Sequence, residues 1–146
     1  MVQEWQQNEF VISTDINRLD LDTVHQFLAN SYWAEGLPFE VLERAIQHSL
    51  VFGLYKQHQQ VGFARVVTDY ATFAYLSDVF VLETWRGQGL GKWLIETIVA
   101  HPELQGLRRW LLATKDAHEF YQPFGFQALK NPDRFMEQWE SDIYKR

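Results

Sequence analysis

Three glycines, Gly87, Gly89 and Gly91, stand at every second position between two cations, Arg86 and Lys92. An apolar run of strand type, Leu76 to Leu82, leads into them, and a helical pattern of Leu90, Trp93, Leu94 and Ile98 follows. A strand, a glycine turn and a helix start make an anion site. Glycine lets the backbone approach a ligand closely, because no Cβ intervenes. The first N–H groups of a helix have no internal partners and point outward, where the helix dipole favours negative charge. The stretch Arg86, Gly87, Gln88, Gly89, Leu90, Gly91, Lys92 therefore reads as a pyrophosphate cradle. Asp78 is the one acid inside the run Leu76 to Leu82. A lone carboxylate in a central strand is costly without a partner. It alternates with Val79 and Val81, which sends it to the other face of the sheet. Two roles stay open for it: meeting a substrate ammonium, as ligand or base, or a structural hydrogen bond to a neighbouring loop.

Two common phosphate loops do not fit. A nucleotide-binding loop of the Walker type needs Gly-Lys followed by Ser or Thr, and here Trp93 follows Gly91-Lys92. A dinucleotide fingerprint needs Gly-x-Gly-x-x-Gly, and the spacing Gly87-x-Gly89-x-Gly91 is one residue short.

The segment Arg86-Gly87-Gln88-Gly89-Leu90-Gly91 resembles the Arg/Gln-x-x-Gly-x-Gly/Ala signature of the GNAT superfamily of acyl-CoA-dependent N-acetyltransferases. Downstream, Ala117-x-x-x-Tyr121-x-x-Phe124-Gly125-Phe126 is similar to that family's second segment. The resemblance implies acetyl-CoA as donor, direct transfer to an amine, and a fold whose two central strands splay to admit the pantetheine arm. It implies that Phe80 and Val81 offer backbone groups to that arm and that the Val81 N–H polarises the thioester carbonyl. Tyr121 matches the family's general acid. A phenol, with a reference pKa of about 10, holds a proton at neutral pH that a leaving thiolate can take. Thr114 departs from the pattern, since the family often has Asn seven residues before the tyrosine. Threonine keeps a hydroxyl for the cofactor but lacks the amide.

The loop between the first two helices usually shapes the acceptor site in proteins of this type. Here that loop carries Tyr32, Trp33 and Glu35, and Tyr75 and Asp78 follow in a nearby strand. Aromatic walls with a carboxylate beside them suit a cationic amine. Phe39 and Phe73 read as core. Glu83, Asp116 and His118 read as surface groups. The remaining histidines, His25, His48, His58 and His101, show no metal-ligand spacing, so no metal is expected. The rival to an acetyltransferase is a non-catalytic acyl-CoA-binding sensor or partner domain; Tyr121 argues against it.

These groups need a scaffold, and the composition allows one. The 146 residues suit a single domain over 1–146 with a core of its own. A net charge of −6 without a basic stripe argues against a nucleic-acid partner. Cysteine is absent, which removes disulfides, thiolate metal sites and any enzyme thiol as acyl carrier. The start, Met1-Val2-Gln3-Glu4-Trp5, has no leader pattern, and no apolar run approaches a membrane span. The expectation is a cytoplasmic protein with no membrane partner, monomer or homodimer, acting on a small-molecule or protein amine.

Pattern then places the elements. Phe10 to Ser13 reads as a strand. Asp20 caps a helix carrying Leu21, Val24, Phe27 and Leu28, and Pro38 opens a second with Phe39, Leu42 and Ile46. Leu50 to Lys56, Val61 to Thr68 and Thr72 to Leu82 form an antiparallel meander with short links. The glycine turn and its helix follow, ended by Pro102. Leu107 to Ala113 is a strand parallel to 72–82, Ala117 to Phe124 a short helix, and Phe126 to Leu129 and Phe135 to Trp139 two closing strands. The expected class is α/β (α+β), a mixed, mostly antiparallel sheet of 6-7 strands in the order β-αα-βββ-α-β-α-ββ, with helices on both faces.

Overall fold

The computed structural model describes residues 1–145. One six-stranded sheet organises it, with strands in sequence order. A hairpin, β1 (Glu4–Gln7) and β2 (Phe10–Ser13), opens the chain. Two helices follow, α1 (Leu21–Ala29) and α2 (Phe39–Gln47). Then come β3 (Leu50–Lys56), β4 (Gln59–Thr68) and β5 (Phe73–Val81), helix α3 (Leu90–Val99), strand β6 (Arg109–Leu112) and the short helix α4 (His118–Tyr121). Neighbours from β1 to β5 pair antiparallel; β5 and β6 pair parallel.

Local chemistry explains the joints. Asp20 accepts the Thr23 N–H at 3.2 Å and its hydroxyl at 2.8 Å, which caps α1. Asp69 accepts the amides of Ala71, Thr72 and Phe73 in the β4–β5 turn, and these bonds hold its carboxyl well below the usual range. Gly125, at φ +97, ends the turn of 3-10 helix that extends α4.

Apolar residues sort to the two faces of the sheet. Phe52, Leu54, Ala74 and Leu76 pack against Leu90, Leu94, Ile95 and Ile98 of α3. Val51, Phe63 and Phe80 pack against Val24 and Leu28 of α1 and Leu42 and Ile46 of α2. Each fully buried leucine in these layers contributes about 1.5–3 kcal/mol by leaving water. The helices thus clamp β5 from both sides, and β5 carries the site.

Two parts of the sheet differ from the sequence expectation. The first strand is Glu4–Gln7, ahead of Phe10–Ser13; it holds its place by pairing with β2 and through Trp5, whose ring lies 6.2 Å from that of Phe52. The closing strands expected at 126–129 and 135–139 do not form. Pro132–Arg134 makes a 3-10 turn, and Phe135 then meets the Arg109 side chain, 4.7 Å from guanidinium carbon to ring centre, in place of the β6 backbone. Beyond it Met136 and Trp139 are exposed, and the chain comes back over the α1–α2 loop, where the Tyr144 carbonyl lies 3.2 Å from where a Gly36 Cβ would sit.

Candidate active site

The turn after β5 is built to leave backbone amides bare. Leu82–Arg86 closes as one 3-10 turn, and the Gln88 side-chain Nε2 donates to the Trp85 carbonyl at 3.1 Å. Gly87 and Gly89 both sit at φ +83, the left-handed region where a Cβ is disfavoured. Gly89 is the N-cap of α3, and no side chain caps that helix. The first intrahelical bond runs from the Trp93 N–H back to Gly89, so the amides of Leu90, Gly91 and Lys92 face outward. A Cβ added at Gly87 or Gly89 would meet nothing within 4 Å. The glycines therefore border open space, as a cradle for an anion requires, and the exposed Arg86 and Lys92 flank it.

Beside the cradle, β5 has an unused edge. Pairing with β6 ends at Leu76–Leu112, yet β5 runs on to Val81. Leu82 donates its N–H to Val61 of β4 at 2.8 Å, so the preceding Val81 turns its own N–H and carbonyl to the other edge. Its carbonyl accepts the Arg86 Nε–H at 2.8 Å. The expectation for Phe80 is narrowed. Its carbonyl turns toward β4, 3.0 Å from where a Gly62 Cβ would sit, and its ring stacks on Phe27 with centroids 4.0 Å apart. Phe80 thus presents its ring as a wall, and Val81 is the residue whose backbone N–H faces the edge left unpaired by β6.

Tyr121 lies between the cradle and the α1–α2 loop. The preceding Phe120 reaches the helix start, 3.5 Å from where a Gly91 Cβ would lie. The Tyr121 ring packs at 5.0 Å from Phe120 and 6.0 Å from Phe126. Burial pushes its phenol up to about 12, and the nearby Tyr32 adds to the rise. The phenol is therefore a held proton at neutral pH. Thr114 accepts the Ala117 N–H at 3.0 Å, so its hydroxyl oxygen fastens the start of α4. His118, Glu83 and Asp116 are exposed.

On the other face of β5, Asp78 forms a β-bulge. Arg65 pairs with Ser77 and Phe63 with Phe80, which leaves one extra residue on β5, and Asp78 takes φ +56. Its Oδ1 accepts the Trp33 indole N–H at 2.9 Å, and its Oδ2 accepts the Arg65 Nε–H at 2.9 Å. The carboxylate thus has the structural hydrogen bonds of its second reading. Tyr32 beside it accepts the Lys115 N–H at 3.3 Å, joining the loop to the end of β6. Tyr75 is half-buried in β5, and Glu35 is exposed on the loop. Sequence reading missed Arg65. The available signal was a lone cation in one strand of a meander opposite a lone acid in the next.

Among the described residues no group of three or more His, Cys, Asp or Glu side chains is placed to hold a metal, and no helix is long and apolar enough to cross a membrane.

The family model for an acetyltransferase (GNAT) domain matches residues 47–128. A solved GNAT-family protein from Xanthomonas campestris pv. campestris is 46% identical with a TM-score of 0.92, over 94% of this chain and 97% of that one. The Gibberella zeae protein FG08082 is 32% identical over 116 residues. That match spans 66% of this chain and 66% of FG08082, and matches to three plant relatives span 32% or less of their lengths. A Clostridium acetobutylicum protein solved with acetyl-CoA shares the fold alone, at 13% identity and a TM-score of 0.64, over 94% of this chain and 96% of that one.

Proposed function

The chain belongs to the GNAT acetyltransferase family, and from that premise we propose that it moves an acetyl group from acetyl-CoA to a primary amine by direct attack. The observation that carries the proposal is the bare edge of β5. Beyond Leu76 no strand among the described residues pairs along it, and it leads to the uncapped start of α3 at Gly89. An amide-bearing chain ending in a pyrophosphate fits both features at once. The open space beside Gly87 and Gly89, with Arg86 and Lys92 around it, takes the diphosphate. The unused edge takes the pantetheine amides. Acetyl-CoA supplies an activated acyl group as its thioester.

The chain's own residues then divide the work. Val81 directs its N–H at the thioester oxygen, where negative charge grows as the amine nitrogen bonds to the carbonyl carbon. Arg86, held on the Val81 carbonyl, keeps this turn closed. As the C–S bond breaks, Tyr121 gives its phenolic proton to the departing sulfur, and the proton lost by the amine restores the phenol through solvent. A phenol held protonated by burial suits a proton donor better than a base. The α1–α2 loop, with Tyr32 and Trp33, lines the entry of the amine.

The test is an acetyl-CoA turnover screen over an amine library, with released thiol as readout. Thiol release that depends on one class of amine, with the acetylated amine seen by mass, is expected. Tight coenzyme A binding with no turnover on any amine would make the protein a binding module instead.

A further inference from the structure

We infer that Arg65, Asp78 and Trp33 form a positioning network that fixes the acceptor loop against the thioester edge of β5, and that Asp78 does not itself meet the amine. The inference rests on the acetyltransferase reading above. Both carboxylate oxygens of Asp78 are in use, one by the Trp33 Nε1–H and one by the Arg65 Nε–H, each at 2.9 Å. The chain of bonds goes further. The Arg65 Nη1 donates to the Ser49 hydroxyl at 3.1 Å, and Ser49 donates to the Ala45 carbonyl near the end of α2 at 2.7 Å. The Arg65 and Asp78 side chains are only 18% and 10% exposed. An ammonium that claimed the carboxylate would leave the Arg65 charge half-buried without its partner, which is costly.

What the network supplies is geometry. Asp78 is the bulge residue, three positions before Val81 on the same strand. The indole it holds is gripped twice, by its N–H at Asp78 and by ring contact with Phe27 at 6.3 Å. Phe27 in turn stacks on Phe80, the neighbour of Val81. The Tyr32 ring stands edge-on to the indole at 5.2 Å, and its hydroxyl ties to Lys115 beyond β6. Trp33 is still 43% exposed, so a ring surface remains for the acceptor. The loop wall and the Val81 amide therefore share one frame, and Asp78 and Arg65 set the distance between them.

The test is a double-mutant cycle of Trp33→Phe, which keeps a ring but removes the N–H, and Asp78→Asn, which removes the charge. Each single change should raise the KM for the amine about tenfold, the size expected for a lost bond to a charged group, with CoA affinity unchanged. The double variant should be no worse than the poorer single one, because both cut the same link. Two results overturn the inference. One is a collapse of kcat in Asp78→Asn, or a lost acid limb in its pH profile, beside a silent Trp33→Phe. The other is a fall in thermal stability with kcat/KM unchanged in both. A second measurement needs neither turnover nor the Asp78 variant. In 15N-indole NMR, the Trp33 signal (identified by its loss in Trp33→Phe) should exchange slowly with solvent and should speed up at least about tenfold in Arg65→Met, since the carboxylate loses the cation that holds it. Unchanged exchange there refutes the network. Absence of turnover in the wild type with slowed exchange intact refutes the acetyltransferase reading alone.

Discussion

Replacing Gly91 by alanine should make the protein more stable and a poorer binder of coenzyme A. Gly91 lies in the first turn of α3 and is not among the glycines with positive φ. A Cβ there would lie 3.5 Å from the Phe120 ring and 3.9 Å from a Val81 methyl, ordinary contacts that displace nothing. Alanine is preferred over glycine in a helix by up to about 1 kcal/mol. For a chain of this length that corresponds to a rise of about 2–4 °C in Tm. Fold stability alone therefore gives no reason for glycine at this position. If the glycine serves the approach of a diphosphate to the amides of α3, the added methyl should weaken that contact. One lost hydrogen bond to a charged group costs about 1.5–3 kcal/mol, roughly ten- to a hundredfold in Kd. Thermal scans without ligand and calorimetric titration with coenzyme A read the two effects separately. A higher Tm with an unchanged Kd would refute the placement of the diphosphate at Gly91. Gly89 is a poorer probe, because at φ +83 an alanine adds about 1–2 kcal/mol of backbone strain and both readouts fall together.

Two further outcomes are expected. Tyr121→Phe should lower kcat by about 10²–10⁴, the usual loss for an acid–base group, and leave CoA affinity as it was; an unchanged kcat, with chemistry shown to limit the rate, would pass the proton to water or another residue. His101 should give the fold a pH dependence. It is buried, its Nδ1 accepts the Glu103 N–H at 3.0 Å, its Nε2 has no partner among the described residues, and burial holds its pKa below the ordinary value. The unfolded chain takes up the proton near pH ~6.5 while the folded ring resists it. This stability is therefore complete above about pH 6.5 and falls as the pH drops below it, by at most about 1.4 kcal/mol per pH unit for one proton. Denaturant titrations from pH 7.5 down to 5 should show that slope in the wild type and a flatter one in His101→Gln; equal slopes would refute the assignment.

The parts that were legible in the sequence are those written in local code. The glycine turn before α3 is a spacing that fixes its own backbone, and Asp20 caps α1 within its own turn. The amphipathic helices show their buried stripes in the order of residues alone. What failed depends on distant pairing. Glu4-Trp5-Gln6-Gln7 has one apolar side chain and no alternation to read; it is a strand because β2 offers it an edge. The segments 126–129 and 135–139 hold enough aromatic residues to look like strands. Whether 135–139 pairs depends on where the turn at Pro132 aims it, and it aims Phe135 at a guanidinium.

Asp78 shows why a site can look like a fault in the pattern. Ala74 and Leu76 pack toward α3, so strict alternation would carry Asp78 and Phe80 to that same apolar face. The bulge inserts one residue and reverses the phase. Val79 and Val81 now continue the α3 layer, and Asp78 and Phe80 turn to the side of α1 and α2. A carboxylate among the α3 residues would be unpaired; on the other face it finds Arg65 and Trp33. The left-handed backbone that the bulge demands is one that aspartate tolerates better than a branched or bulky residue. The same shift of phase sets which edge Val81 presents to the gap beside β6. On the proposed acetyl transfer, one residue thus decides both where the α1–α2 loop is tied and which amide would face the thioester. Its backbone turns the strand and its side chain ties the α1–α2 loop to it.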